Sequence, residues 1–293
     1  MDSPFANFVL PLANAVIMFG VGLTLRPFDF SQVASRPRAV ACGIAGHYLL
    51  LPAIGFVFAT LHAGNDRYAI GFMLVAACPS ANVSNLLTYL ARGNVALAVV
   101  LTAISAVVTL ASIPLAIRFD TWWFGDQATD IHLPIAHTVA FLFALVVLPI
   151  LIGMATRRVA PSLSRRLEAW VARLSLAFLL LTIAIIVLEN LELVASSILE
   201  LGLAAVTMCS LAIVLGLSMA RAAKLPGPDA ITIGIEVGIQ NCMLAFFVAI
   251  GILGEPDVAI PAVVYGTLMF LPAFATVCIA RMFWSRSRSR NPA

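Results

Sequence analysis

The residues of this chain that can do chemistry stand inside apolar runs, where their types are costly. Glu236 opens the stretch Glu236-Val-Gly-Ile-Gln-Asn241, and Cys78-Pro-Ser-Ala-Asn-Val-Ser-Asn85 interrupts another apolar run. An ionisable group at mid-membrane costs at least about 2.5–3.5 kcal/mol and is retained for a partner or a transported species. The competing reading of Glu236 is a protonated, hydrogen-bonded structural carboxyl. Pro79 removes a backbone donor and clashes with the preceding turn, so a helix unwinds there and its freed carbonyls need partners. Gly238 weakens the helix around Glu236 through its backbone freedom. Thr102, Ser105, Thr109 and Ser112 recur at spacings of three, four and three, which put their hydroxyls on one helix face. Each hydroxyl can equally bond its own helix's carbonyl one turn back. Thr102 lies nearest in depth to Ser84 and Asn85.

The elements that hold these residues are set by composition. Of 293 residues, 62% are hydrophobic and 11% charged, with a mean hydropathy of +1.04, whereas soluble domains carry about 25% charged residues. At roughly 20 apolar residues per bilayer crossing, runs at 5–25, 39–61, 69–90, 95–117, 133–156, 174–188, 193–220, 230–253 and 258–280 predict nine transmembrane helices in a single membrane domain, 1–293. Continuous apolar character excludes an outer-membrane barrel, whose strands alternate over about ten residues. No Lys or Arg precedes the first run, so that run is expected to stay as a span rather than be cleaved. Cys42, Cys78, Cys209, Cys242 and Cys278 all fall in apolar segments without Cys-x-x-Cys spacing, which argues against a disulfide framework or a zinc site.

Basic residues are retained on the cytoplasmic side during insertion. Fifteen of the seventeen fall in one set of connections: Arg26, Arg36, Arg38, Arg92, Arg157, Arg158, Arg165, Arg166, Arg173, Arg221, Lys224 and the tail Arg281, Arg286, Arg288 and Arg290. The other set holds Arg67 and Arg118 and collects Asp66, Asp120, Asp126, Asp130, Glu192, Glu255 and Asp257. The N-terminus is therefore expected outside and the C-terminus in the cytoplasm of a bacterial inner membrane, with Trp122, Trp123 and Trp284 at headgroup depth. The tail reads as solvated topogenic charge, and no basic patch suits nucleic acid.

The two broken segments are third and eighth, so they run in opposite directions. That parity predicts inverted repeats, approximately 5–117 and 133–280 with the fifth helix unpaired, and places a substrate and ion site near the midplane.

The stretches Ile17-Met-Phe-Gly-Val-Gly-Leu-Thr-Leu-Arg-Pro-Phe-Asp29, Ser84-Asn-Leu-Leu-Thr-Tyr-Leu-Ala-Arg-Gly-Asn94 and Ile235-Glu-Val-Gly-Ile-Gln-Asn241 closely resemble the bile acid:sodium symporter family. The resemblance follows segment order over nearly the whole chain, although bacterial relatives often carry one further N-terminal helix. It implies an all-α fold in which two discontinuous helices cross in a core domain packed on a panel domain, with alternating access between them. It implies one sodium among Ser84, Asn85, Thr102 and Glu236, and a second held by Glu236, carbonyls around Val237 and Ile239, and Gln240; oxygen ligands of this kind suit a hard cation. Substrate contacts are implied at Asn82 and Asn241, with Met269 and Phe270 facing the substrate. The chain departs from the pattern at Ala98, where relatives offer a hydroxyl, at His47, where they place glutamine, and at Met269 and Phe270, where some are polar.

The function this implies is sodium-coupled symport of an organic anion, bile-acid-like or a small carboxylate or sulfonate. His47 with Glu236 keeps a proton-coupled carrier open, and Cys78 beside the break keeps open an uncoupled or arsenite-type efflux carrier that uses a thiol. A membrane sensor that binds without transporting is the third reading. His137 reads as structural. An enzyme is not expected: there is no His-Glu-x-x-His, no Gly-x-Ser-x-Gly and no second intramembrane carboxylate. No cofactor is expected beyond Na+ as coupling ion. The partners are an organic anion, Na+ or H+, and the bilayer.

Overall fold

The computed structural model describes residues 10–25, 28, 31, 35–124, 135–164, 166–167, 170–171, 173–174, 177 and 191–290. Most of the predicted sixth segment lies outside these, as do Arg26, Asp126, Asp130 and Arg165, and the side chains of His137, Glu192, Trp284, Arg286, Arg288 and Arg290. Among the described residues the chain is helical and forms no strand. The helices are α1 (Leu10–Thr24), α2 (Pro37–Leu61), α3 (Asp66–Ala77), α4 (Val83–Leu90), α5 (Val95–Trp123), α6 (135–159), α7 (Leu191–Ala222), α8 (Gly227–Gly238), α9 (Cys242–Ile252), α10 (Pro256–Leu268) and α11 (Phe270–Arg290). Among the described residues, five stretches are long and apolar enough to cross a membrane: Pro37–Leu61, Val95–Trp123, Thr138–Val159, Ile198–Ala222 and Pro256–Met282.

The third and eighth predicted segments are each two helices. Cys78, preceding Pro79, is extended at φ −71, ψ 158, as the ring of a following proline requires, so α3 stops at Ala77 and α4 begins at Val83. The second interruption has no proline. There Ile239 turns extended at φ −103, ψ 100, and the Asn241 side chain accepts from Leu244 N (3.1 Å) to start α9. A side chain at Gly238 would run into Ile213 of α7, so this position must be glycine for α8 to pack as it does.

Polar contacts tie the helix starts in two groups at opposite ends of the bundle. Arg36, before α2, pairs with the buried Asp229 of α8 at 3.2 Å, and Asn94, which caps α5, donates to the same carboxylate at 2.8 Å. At the other end Arg67 of α3 pairs with Glu255 (3.2 Å) and Asp257 (3.1 Å) at the start of α10. Thus α3 and α8 approach their interruptions from opposite ends, as the segment parity requires. Two further arginines sit on helix C-termini, where carbonyls lack intrahelical partners: Arg281 donates to Leu90 O at the end of α4 (2.9 Å), and Arg157 to Leu23 O at the end of α1.

One expectation fails. Asp120 belongs to no loop: α5 continues through Trp123 and buries Asp120 completely, on the side of Phe124 one turn later. Beside it Phe56, Phe119, Trp122 and Trp123 form an aromatic group at this helix end, with Trp122 and Trp123 exposed, which suits the headgroup layer.

Candidate functional site

The two interruptions meet. Ser80 and Gln240 face each other in an isolated antiparallel bridge, with Ala81 N donating to Ile239 O (2.9 Å) and Asn241 N to Pro79 O (2.8 Å). The unwound backbones thus satisfy one another where the helix ladders supply no partner. Neighbouring helices supply the remaining partners. Ser112 Oγ donates to Ala77 O (2.7 Å), His47 Nε2 donates to Cys78 O (2.9 Å), and Tyr265 OH and the Cys209 thiol donate to Gly238 O (2.9 and 3.3 Å). A carbonyl can only accept, so His47 Nε2 carries the hydrogen. Ser105 Oγ accepts from Ser80 N at 3.2 Å while donating to Thr102 O. Ser105 and Ser112 therefore serve the break, and the reading that they merely bond their own helix does not hold for them.

At this crossing Glu236, 2% exposed, lies in the last turn of α8. Ser84 Oγ donates to its Oε1, and Thr102 Oγ1 stands 3.0 Å from its Oε2 and 3.0 Å from Ala98 O. Ser80 Oγ is 3.2 Å from Ser84 Oγ and 3.3 Å from Ile239 O. The carboxylate is met by hydroxyls alone, with no Lys, Arg or His side chain in an ion pair with it among the described residues. Two amide oxygens, Asn85 Oδ1 and Gln240 Oε1, are buried with no donor at all. Gln240 Nε2 bonds Val237 O (2.8 Å) and Asn85 Nδ2 bonds Asn82 Oδ1 (3.2 Å). Turning the Gln240 amide round would oppose two acceptors, so its oxygen is held where it is, whereas the Asn85 amide faces a second amide that can turn with it. Oxygens without donors on the two segments that hold the carboxylate are of the ligand type that suits a hard cation.

Ser84, Thr102, Glu236, Val237, Ile239 and Gln240 are thus brought together, with Asn85 one position along α4 from Ser84. Ala98 contributes only its carbonyl. Asn82 and Asn241 flank the two interruptions, and Asn241 Nδ2 reaches Asn14 Oδ1 of α1 at 3.4 Å. Met269 forms the joint between α10 and α11, and Phe270 packs on Phe274. No hydrogen bond or ring contact joins either to Asn82 or Asn241 among the described residues. Asn14 was missed by the sequence reading. It is fully buried and also donates to Leu145 O of α6 (3.2 Å), and its signal was an amide within the otherwise apolar Leu10–Gly20. Cys78, Cys209 and Cys242 are all buried around the crossing, Cys42 is buried and Cys278 exposed.

A bundle of apolar helices, several long enough to span a bilayer and built around two paired interruptions with a buried carboxylate, is a multi-pass membrane protein. The chain belongs to the Sodium Bile acid symporter family, whose sequence model matches residues 11–197. It is 29% identical over 280 residues to the uncharacterized sodium-dependent transporter YocS of Bacillus subtilis, covering 95% of this chain and 83% of that protein. It is 28% identical over 279 residues to the probable chloroplastic sodium/metabolite cotransporter BASS1 of Oryza sativa, covering 91% and 67%. It is 26% identical over 289 residues to the corresponding BASS6 of Arabidopsis thaliana, covering 95% and 68%. The family and these relatives are transporters, not enzymes.

Proposed function

We propose that this chain is a secondary transporter of an organic anion, driven by sodium that binds at the crossing. One observation carries the reading: a buried carboxylate met only by hydroxyls sits where the two interruptions pair, with the donorless oxygens of Asn85 and Gln240 on the same two segments. Sodium would be held by the side-chain oxygens of Glu236, Ser84, Asn85 and Thr102. Asn82 and Asn241, at the chain's two returns to helix, would meet the anion, with Met269 and Phe270 on the apolar side of the cavity. Nine spans in two inverted repeats, a core carrying the paired interruptions and a panel containing α1 and α6 complete the proposal. Alternating access would move the core against the panel, with the N-terminus outside and the C-terminus in the cytoplasm of a bacterial inner membrane.

Coupling follows from linkage. An ion that fixes the two interruptions sets the positions of Asn82 and Asn241, so ion and anion raise each other's affinity by the same factor. The test is uptake into proteoliposomes of labelled cholate, taurocholate and a series of short carboxylates under an inward sodium or potassium gradient. Sodium-specific accumulation of one of them supports the reading. Equal uptake under both gradients removes sodium as the driving ion.

A proton-coupled carrier is the second reading, and one contact favours it. Thr102 has a single hydroxyl hydrogen and two acceptors at 3.0 Å, Ala98 O and Glu236 Oε2. When the hydrogen lies toward Ala98, a proton on Glu236 Oε2 would complete the contact, which would let a proton take the place of sodium at the carboxyl.

A further inference from the structure

We propose that Asp120 is a proton-binding site at the end of α5 far from the crossing: its carboxyl holds a proton while that end of α5 is packed on α2 and α3, and gives it up when they part. The inference stands apart from the sodium reading.

The carboxyl is placed there by the spacing of α5. Ile113, Ile117, Asp120 and Phe124 recur at four, three and four, and all are buried, so Asp120 lies on the packed stripe of the helix. Its surroundings are apolar. Phe124, one turn later, packs with Ala59 of α2 and with Ala69 and Met73 of α3. Phe56 of α2 closes the same end, with its ring centroid 5.8 Å from that of Phe119, 5.5 Å from Trp123 and 6.1 Å from Phe124. Asp120 is 0% exposed, and neither of its oxygens has a hydrogen-bond partner.

The charged and titratable groups of the neighbouring elements are otherwise engaged or turned away. After α2, His62 Nδ1 donates to Phe58 O at 2.8 Å and its ring lies 5.0 Å from that of Phe72. At the start of α3 stand Asp66, Arg67 and Tyr68, and Arg67 is held by Glu255 and Asp257 of the α10 start. Arg118 of α5 is exposed. On α6 the group is His137, whose side chain lies outside the described residues. None of them makes an ion pair or hydrogen bond with Asp120.

A charge left in such a place without donor or counter-ion costs far more than a neutral carboxyl left unbonded. A metal ion would not remedy this, since it needs several oxygen ligands and no group of three His, Cys, Asp or Glu suited to a metal occurs among the described residues. A proton needs one ligand only. Glu236 differs in just this respect, because two hydroxyls meet it. Asp120 is also close to water: α5 ends at Trp123, within a turn, and Trp122 and Trp123 are exposed. A small separation of α5 from α2 and α3 would hydrate the carboxyl, which then ionises as an ordinary aspartate does above about pH 4. The packed form therefore holds one proton more than the parted or unfolded form. The sign follows: this packing is strongest in acid and weakens as pH rises above the ordinary carboxylate range, by up to about tenfold in the packed-to-parted ratio for each pH unit.

The test compares the full chain with Asp120→Asn in one detergent. The infrared difference spectrum at neutral pH is expected to show the C=O stretch of a protonated, unbonded carboxyl; carboxylate bands in its place overturn the inference. Thermal unfolding is then followed from about pH 5 to 9, where wild type is expected to lose stability relative to Asp120→Asn as pH rises. Glu236 and the surface charges are common to both proteins and cancel. Parallel curves overturn the link between the proton and the packing. Should Asp120→Asn fail to fold, Asp120→Leu, which matches the apolar neighbours, serves in both measurements with the same expected outcomes.

Discussion

Replacing Ser105 by Ala tests whether the first interruption is held by side chains of α5. Ser105 Oγ is the acceptor for Ser80 N at 3.2 Å, inside a break where the helix ladder supplies none, and the residue is 3% exposed. Ala leaves that N–H buried and unpaired. A buried orphan costs about 1–3 kcal/mol in soluble proteins, and side-chain hydrogen bonds between membrane helices average about 0.6 kcal/mol with a maximum near 1.7. The two ranges overlap at about 1–2 kcal/mol. That corresponds to roughly 2–4 °C per kcal/mol in unfolding temperature for a chain of this size class. Ser210→Ala is the matched control, because Ser210 Oγ donates only to Val206 O of its own helix at 2.7 Å; its change is expected within about 0.5 kcal/mol. Thermal unfolding of both variants in one detergent decides the matter. Equal stabilities for Ser105→Ala and Ser210→Ala would refute the reasoning that the break depends on α5.

Other outcomes follow from the same contacts. Asp229→Ala strips the acceptor from Asn94 Nδ2 and Arg36 at a buried site and is expected to cost about 1–3 kcal/mol in denaturant unfolding. Arg67→Ala breaks two contacts around a guanidinium 46% exposed, and is expected to cost under about 1 kcal/mol, less at high salt. Cys78→Ala is expected to leave sodium-dependent uptake within about twofold, since the break uses the Cys78 carbonyl and not its thiol; loss of transport would bring back a thiol-dependent carrier.

The sequence showed the first interruption because proline leaves few alternatives for the residues around it. The second was legible from Gly238 and the polar run after it, although its physical cause, Ile213 pressing on Gly238, belongs to another helix and could not be read locally. Glu236 stood out because a carboxylate is costly in an apolar run, whereas Ser84 and Thr102 were singled out by the family resemblance, Thr102 also by its depth, and the structure brings both hydroxyls to the carboxylate. Asp120 was misplaced for the opposite reason: a carboxylate three residues past an apolar stretch looks like a loop, and only the continuation of α5 buries it. The competition between Ser105's own helix and the break was open in one dimension, because a hydroxyl one turn from a carbonyl always has that partner. Asn14 went unread because a single amide carries no spacing. The engagement of the Val237 and Ile239 carbonyls was equally hidden, since it depends on how two distant segments cross.

A sodium ion beside Glu236 is tested most directly by the unfolding temperature of the purified chain in sodium against potassium at constant ionic strength. A ligand that binds only the folded state stabilises it by mass action, by about 2.7 kcal/mol at a hundredfold excess over Kd. A rise specific to sodium is expected in wild type and its loss in Glu236→Gln, which keeps the size of the side chain and a hydrogen bond to Ser84 but removes the charge. Identical curves in the two cations up to a few hundred millimolar, or a sodium response that survives in Glu236→Gln, would contradict it.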